Sequence, residues 1–115
     1  MTPESSRDRS GWRDMLYALL ERAGGRSDPG EATGFDVEVL KRAVDELPED
    51  ERLAVVHHFG LSGEEARAMD EVGRAVGCPA FWAARLCSTA LDHLLSSEPV
   101  LALIESIPSG QGGAL

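Results

Sequence analysis

Two cysteines and three histidines are the side chains of this 115-residue chain that could ligate a metal ion or act as a nucleophile or base. Cys78 and Cys87 lie nine residues apart and have no Cys or His neighbour at the spacing of a zinc site. His57, His58 and His93 likewise have no acidic or cysteine partner at ligand spacing. We therefore expect no metal site, two buried cysteines that act as small hydrophobes, and solvated or half-buried histidines.

The acidic residues form short clusters at 49–51, 64–65 and 70–71. Carboxylates at the start of a helix interact favourably with its positive end, so these clusters predict helix starts and solvated faces. The chain has no glycine-rich phosphate loop, nucleophile elbow or paired-carboxylate arrangement. We expect neither an enzyme nor a cofactor.

The charge balance is acidic, with a formal net charge of −9 and a pI near 4.7. Nucleic-acid binders usually show the opposite balance, because lysine and arginine supply much of their affinity by releasing counterions. The hydrophobic fraction of 43% is enough for the core of one small domain. No segment approaches the roughly 18 apolar residues of a membrane span, and the polar N-terminal stretch lacks the apolar core of a signal peptide. A cytoplasmic location is expected.

The first helix is predicted to start at Ser10, as its N-cap, and to end near Ala23. Residues 1–9 are polar and are predicted to be a disordered tail, and residues 25–34 are a linker rich in glycine, serine and proline. The apolar face of the helix comprises Trp12, Met15, Leu16, Leu19 and Leu20. The sequence leaves open whether residues 1–34 pack on the remainder of the chain.

Apolar residues at helical spacing predict five further helices, and no strand pattern is present. Pro48, Gly77 and Pro79 separate neighbouring helices, because proline lacks an N–H group and glycine adopts the left-handed conformation of a tight turn. Ser96 or Ser97 is expected to cap the last helix, within a C-terminal segment 97–115 that ends in a disordered tail. The predicted helices cover 35–46, 49–58, 68–76, 79–95 and a short stretch after 97. The predicted fold is an all-α helix-turn-helix bundle of about five to six helices.

Four consecutive pieces of the chain carry the helix-turn-helix frame. The first, VLKRAVDELPEDERLAVVHHFGL (39–61), has two helices joined at Leu-Pro and ends in Phe-Gly-Leu, and SGEEARA (62–68) forms the loop. MDEVGRAVG (69–77) is the first helix of the motif and its turn. The second helix closes with Ala90, Leu91 and Leu94. In this register, residues 39–95 resemble the fourth conserved region of the primary sigma factors of bacterial RNA polymerase.

This resemblance implies a helix-turn-helix domain over residues 35–96. In sigma factors the second helix of the motif reads promoter DNA, and an apolar groove formed by the helices grips a flexible flap of the polymerase β subunit. The corresponding groove here would draw on the helix with Val37, Leu40 and Val44. It would also draw on the apolar residues Leu53, Val55 and Val56, which are expected to face inward.

The front of the second helix departs from the family pattern. The family opens this helix with a Ser or Thr cap and then interleaves Arg, Glu and Gln, whereas residues 79–85 read PAFWAAR. Later polar slots hold Cys87 and Thr89, and the basic end has become Asp92 and His93. Between residues 36 and 95, twelve acidic residues face six basic ones, a net charge of −6. DNA binding is therefore expected to be weak or absent.

Exposed aromatic residues often mark a protein-binding surface, so Phe81, Trp82 and Arg85 are predicted to contact a partner. Leu40, Val44 and Val56 would contribute from the groove. The resemblance implies two candidate partners, the RNA polymerase β flap and a regulator that normally binds sigma. A competing expectation is that Phe81 or Trp82 folds inward against the first or last helix.

Two other functions stay open on the sequence. The first is a DNA-binding helix-turn-helix transcriptional regulator that places Arg74, Arg85 and Thr89, with Arg67, on phosphates and dimerises through its first and last helices. The second is a structural module of a homo-oligomer, in which the helix-turn-helix serves only for packing. An exposed Trp82 favours protein contact, a continuous basic strip favours DNA, and a Trp82 buried at a self-interface favours the structural module.

Overall fold

The computed structural model describes residues 3–24 and 34–107, with the side chains of the first helix described from residue 11 onward. Within these residues the chain forms six α-helices and no strand, so the predicted all-helical fold is confirmed. The helices are α1 (Pro3–Arg22), α2 (Gly34–Asp45), α3 (Glu49–Phe59), α4 (Met69–Val76), α5 (Ala80–Leu95) and α6 (Glu98–Ser106). The bounds of α2 to α5 and the start of α6 fall within about one residue of the predicted ones, which is the usual uncertainty of helix ends.

Small side chains allow α3, α4 and α5 to pack closely at the centre of the molecule. Gly73 of α4 is buried, and a Cβ atom there would collide with the carbonyl oxygen of Cys78 in the turn that leads to α5. Gly77 begins this turn with φ of 95°, a left-handed conformation that glycine adopts without a steric penalty. The fully buried residues of this centre are Ala54, Val55, Val72, Ala83 and Ala90. The sequence of the turn therefore fixes the angle between α4 and α5.

Helix α1 packs on α3 and α2, which answers the question left open by the sequence for the described residues of this segment. Its predicted apolar residues are all buried in the common core: Trp12, Met15, Leu16, Leu19 and Leu20. At the start of this packed stretch, a Cβ atom on Gly11 would collide with the carbonyl oxygen of Phe59 and lie 2.8 Å from that of Gly60. Only glycine lets α1 approach the end of α3 this closely.

The last turn of α1 is attached to α5 by polar contacts. The Nε of Arg22 donates a hydrogen bond of 2.6 Å to Oδ1 of Asp92, and Nη2 donates one of 2.6 Å to the Ser88 hydroxyl. The hydrogen bond from Arg22 lowers the pKa of the Asp92 carboxyl, and the same contact raises the pKa of the guanidinium. Asp92 therefore has a structural role, as the acceptor that attaches α5 to the end of α1.

Three predictions about helix ends need correction. Helix α1 begins at Pro3, within the predicted disordered tail 1–9, and Ser10 lies inside it rather than at its cap. Extending a helix that packing has already nucleated costs little, and proline fits a first turn. Ser97 occupies the N-cap of α6, but its side chain makes no capping hydrogen bond. The predicted linker 25–34 and the C-terminal tail lie almost wholly outside the described residues.

Leu53 is a further correction, because it was expected to face inward with Val55. It is half-buried and does not belong to the residues that pack against the core. Helix α3 packs mainly against α4 and α5, and its buried residues are Glu51, Ala54 and Val55. The spacing of apolar residues in α3 does not distinguish the face with Ala54 and Val55, which is buried, from the face with Leu53, which is half-buried.

Replacing Gly73 with alanine is expected to lower the free energy of unfolding by about 1–3 kcal/mol, because the new methyl group must push the turn away from α4. The matched control is Gly34→Ala, since a Cβ atom on Gly34 meets nothing within 4 Å. That substitution should change the free energy of unfolding by less than about 1 kcal/mol. Urea denaturation followed by circular dichroism measures both, and equal stabilities of the two variants would contradict the close packing described.

Replacing Arg22 with glutamine is expected to raise the pKa of Asp92 toward its ordinary value, because the charged donor is lost. In the wild type, the contact raises the free energy of unfolding at pH values above the unfolded-state pKa of Asp92, which is near 3.9. This contribution is lost as the pH falls through the lower pKa of Asp92 in the folded state. Carbon-detected NMR titration of the Asp92 carboxyl measures the shift. Arg42→Gln, at an exposed position on α2, serves as the control. An unchanged Asp92 titration in Arg22→Gln would show that the contact is absent in solution.

Candidate functional site

The front of α5 carries the aromatic residues that were predicted to contact a partner. The inward stripe of α5 recurs at helical spacing and comprises Ala83, Leu86, Cys87, Ala90 and Leu94. Because Ala83 is fully buried against the core, the positions on either side of it point outward. Phe81 is 72% exposed and Trp82 is 44% exposed. The competing expectation that these rings fold inward is wrong.

The two rings and a guanidinium form one cluster, which we call the aromatic face (Phe81, Trp82 and Arg85). The rings of Phe81 and Trp82 meet edge to face, with centroids 6.5 Å apart and an interplanar angle of 80°. The Cζ of Arg85 lies 5.8 Å from the Trp82 centroid, within range of a cation–π interaction. Arg85 thus covers one side of the indole and leaves its apolar edge accessible to a partner.

The other residues predicted for DNA contact are arranged less favourably for binding phosphates. Nη2 of Arg74 lies 3.8 Å from a carboxylate oxygen of Asp70, and Nη2 of Arg67 donates a hydrogen bond of 3.1 Å to Oε1 of Glu64. Thr89 is half-buried. Such exposed ion pairs contribute little to stability, but each places a negative charge beside the arginine that would have to meet a phosphate. The arginines thus do not form a continuous basic strip.

The predicted groove exists, but its lining differs from the prediction. Leu40 and Val44 are almost completely buried in the core, so Leu40 offers no surface to a partner and Val44 reaches only the floor of the groove. Val56 is half-buried and lines the cavity as expected. We call this cavity of about 610 Å³ the α2–α3 groove; its apolar lining comprises Trp12, Val37, Val44, Val56 and Leu61. Trp12 comes from α1, which lies outside the residues 39–95 that carry the resemblance.

A buried carboxylate links α3 to α5, and no motif in the sequence indicates this contact. Glu51 was expected to be a solvated helix-start charge, yet it is only 8% exposed. Its Oε1 lies 2.7 Å from Nδ1 of His93, which is half exposed at the other side of the pair. A buried carboxylate needs such a partner, since desolvation without a hydrogen bond is costly. The pair therefore holds the two helices together.

His58 has a structural role in the loop between α3 and α4. Its Nδ1 lies 3.1 Å from the carbonyl oxygen of Arg67, which can only accept, so Nδ1 carries the proton. The N–H of Arg67 in turn lies 3.2 Å from the carbonyl oxygen of His57. These bonds close the loop against the end of α3 and leave no imidazole arranged for acid–base chemistry in this loop.

The two cysteines differ in their environment. Cys87 is buried in the core, and burial raises the pKa of its thiol to about 11. Cys78 was expected to be buried as well but is half-buried, because it lies in the turn before α5. A thiol with a raised pKa is a poor nucleophile near neutral pH, so Cys87 acts as a packing residue.

Comparison of the chain with protein-family models, with curated proteins and with solved structures finds no match. Among residues 3–24 and 34–107, no three or more His, Cys, Asp or Glu side chains come together in an arrangement that could hold a metal ion. None of the helices in the described part of the chain is long and apolar enough to cross a membrane. The aromatic face and the α2–α3 groove are surfaces of the described chain that could contact a partner.

Alkylation with iodoacetamide at pH 8 should modify Cys78 in the folded protein and leave Cys87 unmodified. At this pH, well below a pKa of about 11, the Cys87 thiol is protonated as well as shielded. Peptide mass spectrometry after timed quenching measures both sites, with a sample in urea as the reference for full reaction. If Cys87 reacted in buffer as fast as in urea, its buried position in solution would be excluded.

Proposed function

We propose that this protein is a transcription-related, sigma region 4-like module that acts by contacting another protein rather than by reading DNA. Its partner is RNA polymerase, through the β flap, or a regulator that normally binds sigma. The observation that carries the proposal is the aromatic face at the front of α5, where Phe81 and Trp82 are exposed at the position of a recognition helix. The sequence resemblance supplies the link to transcription.

The composition of the aromatic face supports protein contact. Tryptophan and arginine are enriched among the residues that dominate protein interfaces, because they bury a large area and combine apolar and polar contacts. Arg85 lies over the Trp82 ring, so the face offers an apolar and a charged contact side by side. Ala80 and Ala84 are exposed beside the aromatic residues and would let a partner approach the helix closely.

Charge opposes the DNA-binding alternative. Arg67 and Arg74 each lie beside a carboxylate of their own segment, and Arg85 lies over Trp82. A duplex would meet these side chains on a chain of net charge −9. Since affinity for DNA depends on neutralising phosphates, this surface favours a protein partner.

The α2–α3 groove supports the polymerase as one of the two candidate partners. It is an open apolar cavity between the helices that the sequence resemblance aligns with the groove-forming helices of sigma region 4. Its charged lining is balanced, with Lys41 and Arg52 beside Glu38 and Asp45, so an apolar segment of mixed charge would suit it. A module that used this groove and the aromatic face together could compete with sigma or recruit a second factor.

The proposal is tested by measuring binding to purified bacterial RNA polymerase core enzyme and to immobilised sigma-binding regulators by biolayer interferometry. Trp82→Ala is expected to weaken binding by about 10- to 100-fold, the effect of removing an interface hot spot. Phe35→Ser is the control, because Phe35 is also an exposed aromatic residue, at 72% against 44% for Trp82, but lies on α2. It should leave the affinity for polymerase within about twofold, which corresponds to less than 0.5 kcal/mol.

A parallel titration with mixed-sequence duplex DNA at low salt separates the alternatives. A salt-sensitive DNA shift that survives Trp82→Ala would refute protein contact and restore the DNA-binding regulator. Sedimentation velocity tests the third alternative, a structural module of a homo-oligomer. If the wild type is an oligomer that Trp82→Ala dissociates, the aromatic face lies at a self-interface. Absence of binding to polymerase and to every sigma-binding regulator would also count against the proposal.

A further inference from the structure

A second apolar groove runs along the outer face of α2 where α6 packs against it. Two cavities of about 790 and 540 Å³ lie there, and they share Ala43, Glu46, Ser97 and Pro99 as lining residues. They therefore form one continuous depression, which we call the α2–α6 groove. Phe35 and Val39 line one end of it, and the other end is lined by Leu47, Pro48, His93 and Leu94.

Helix α2 is apolar on two sides, so this groove and the α2–α3 groove have different apolar linings, although both are also lined by Gly34 and Glu38. Val37 and Val44 line the α2–α3 groove, whereas Phe35 and Val39 line the α2–α6 groove. A surface helix that only packs on its own domain needs one apolar stripe. Phe35 is nevertheless 72% exposed, so its ring has no cover from the described part of the chain.

The charged residues around the α2–α6 groove are mostly acidic. Glu38 lines it from α2, Glu46 lines it from the turn that follows α2, and Glu98 lines it from the start of α6. All three are exposed, and Arg42 is the basic residue among the lining. An apolar floor bordered by three carboxylates and one guanidinium suits an occupant that is apolar on one side and positively charged at its edges.

The length of the groove favours a short helix as the occupant. From Phe35 to Glu46 the lining follows α2 for three turns, which corresponds to about 16 Å at 1.5 Å per residue. Apolar side chains at i, i+3 or i+4 and i+7 of a second helix would match this length. A strand would need exposed sheet edges to pair with, and the described residues form helices only.

We propose that the α2–α6 groove binds a basic amphipathic helix of a partner protein, about three turns long, with its apolar stripe on Phe35 and Val39 and its lysines or arginines beside Glu38, Glu46 and Glu98. This surface does not include any residue of the aromatic face. It adds a second binding site to the proposed function and does not depend on it.

The test uses the full-length protein and a fluorescein-labelled 14-residue helical peptide with leucine at i, i+3, i+4 and i+7 and lysine at the other positions. Fluorescence anisotropy at physiological salt measures its affinity. Phe35→Ser and the double variant Glu38→Lys/Glu46→Lys should each weaken binding at least about tenfold. These positions are exposed, so the variants are expected to fold normally.

Matched controls separate specific docking from attraction to an acidic protein. Glu105→Lys changes an exposed carboxylate of α6 outside the groove, and Phe81→Ser changes the aromatic face. Both should leave the affinity within about twofold. A scrambled peptide of the same composition, without the apolar stripe, should bind at least about tenfold more weakly.

Three results would overturn the proposal: equal affinity in Phe35→Ser, equal affinity for the scrambled peptide, or a wild-type dimer that Phe35→Ser dissociates, which would make a second copy of the chain the occupant. Amide chemical shifts provide a further check, because the peptide should perturb α2 and the start of α6 and leave the front of α5 unchanged. Loss of peptide binding in Phe35→Ser together with intact polymerase binding would support this groove whatever the fate of the aromatic face.

Discussion

The close packing of α3, α4 and α5 is the constraint on which the other features depend. At their contact the chain places alanine, valine and glycine, and Gly73 touches the backbone of the turn so closely that no Cβ atom fits. Interiors packed at this density transmit orientation from one helix to the next. With Ala83 and Ala90 held against the core, the direction of every other residue of α5 follows. Phe81 and Trp82 lie off the buried stripe of α5 and are therefore exposed to solvent.

The rear half of α5 is occupied by internal contacts. Ser88 and Asp92 bind Arg22 of α1, and His93 binds the buried Glu51 of α3. Asp92 and His93 are among the residues from which the sequence predicted weak DNA binding. In the structure both provide attachments, Asp92 to α1 and His93 to α3. Only the front of the helix remains available to a partner.

Much of the fold could be predicted from local signals. Pro48, Gly77 and Pro79 fixed where helices end, because their effects on the backbone do not depend on distant residues. The apolar period likewise identified the stripe of α1 that is buried. The apolar period could not predict which helix packs against each stripe, because a period of 3.6 residues identifies the buried face of a helix and not the helix that covers it. The position of α1 is set by contacts such as that between Arg22 and Asp92, 70 residues apart.

The candidate site was less predictable for the same reason. Phe81 and Trp82 could be identified as unusual, but their outward direction depends on Ala83 being in the core. Leu40 and Val44 were assigned to a partner surface, but they are buried in the core, and α2 packs against α6 and α1, which come from distant parts of the chain. Glu51 was misjudged because a buried carboxylate looks like a solvated one until its distant partner is known. In each case the missing information was a long-range contact.

The placement of the two tryptophans has an optical consequence. Trp12 is buried where it lines the α2–α3 groove, and Trp82 stands at the surface beside a positively charged guanidinium. The indole in the apolar interior emits at shorter wavelength and is shielded from ions, whereas the exposed one emits further to the red and is accessible to iodide. The unlabelled chain thus carries two tryptophan fluorophores, one beneath the α2–α3 groove and one in the aromatic face, and a soluble quencher can separate their signals.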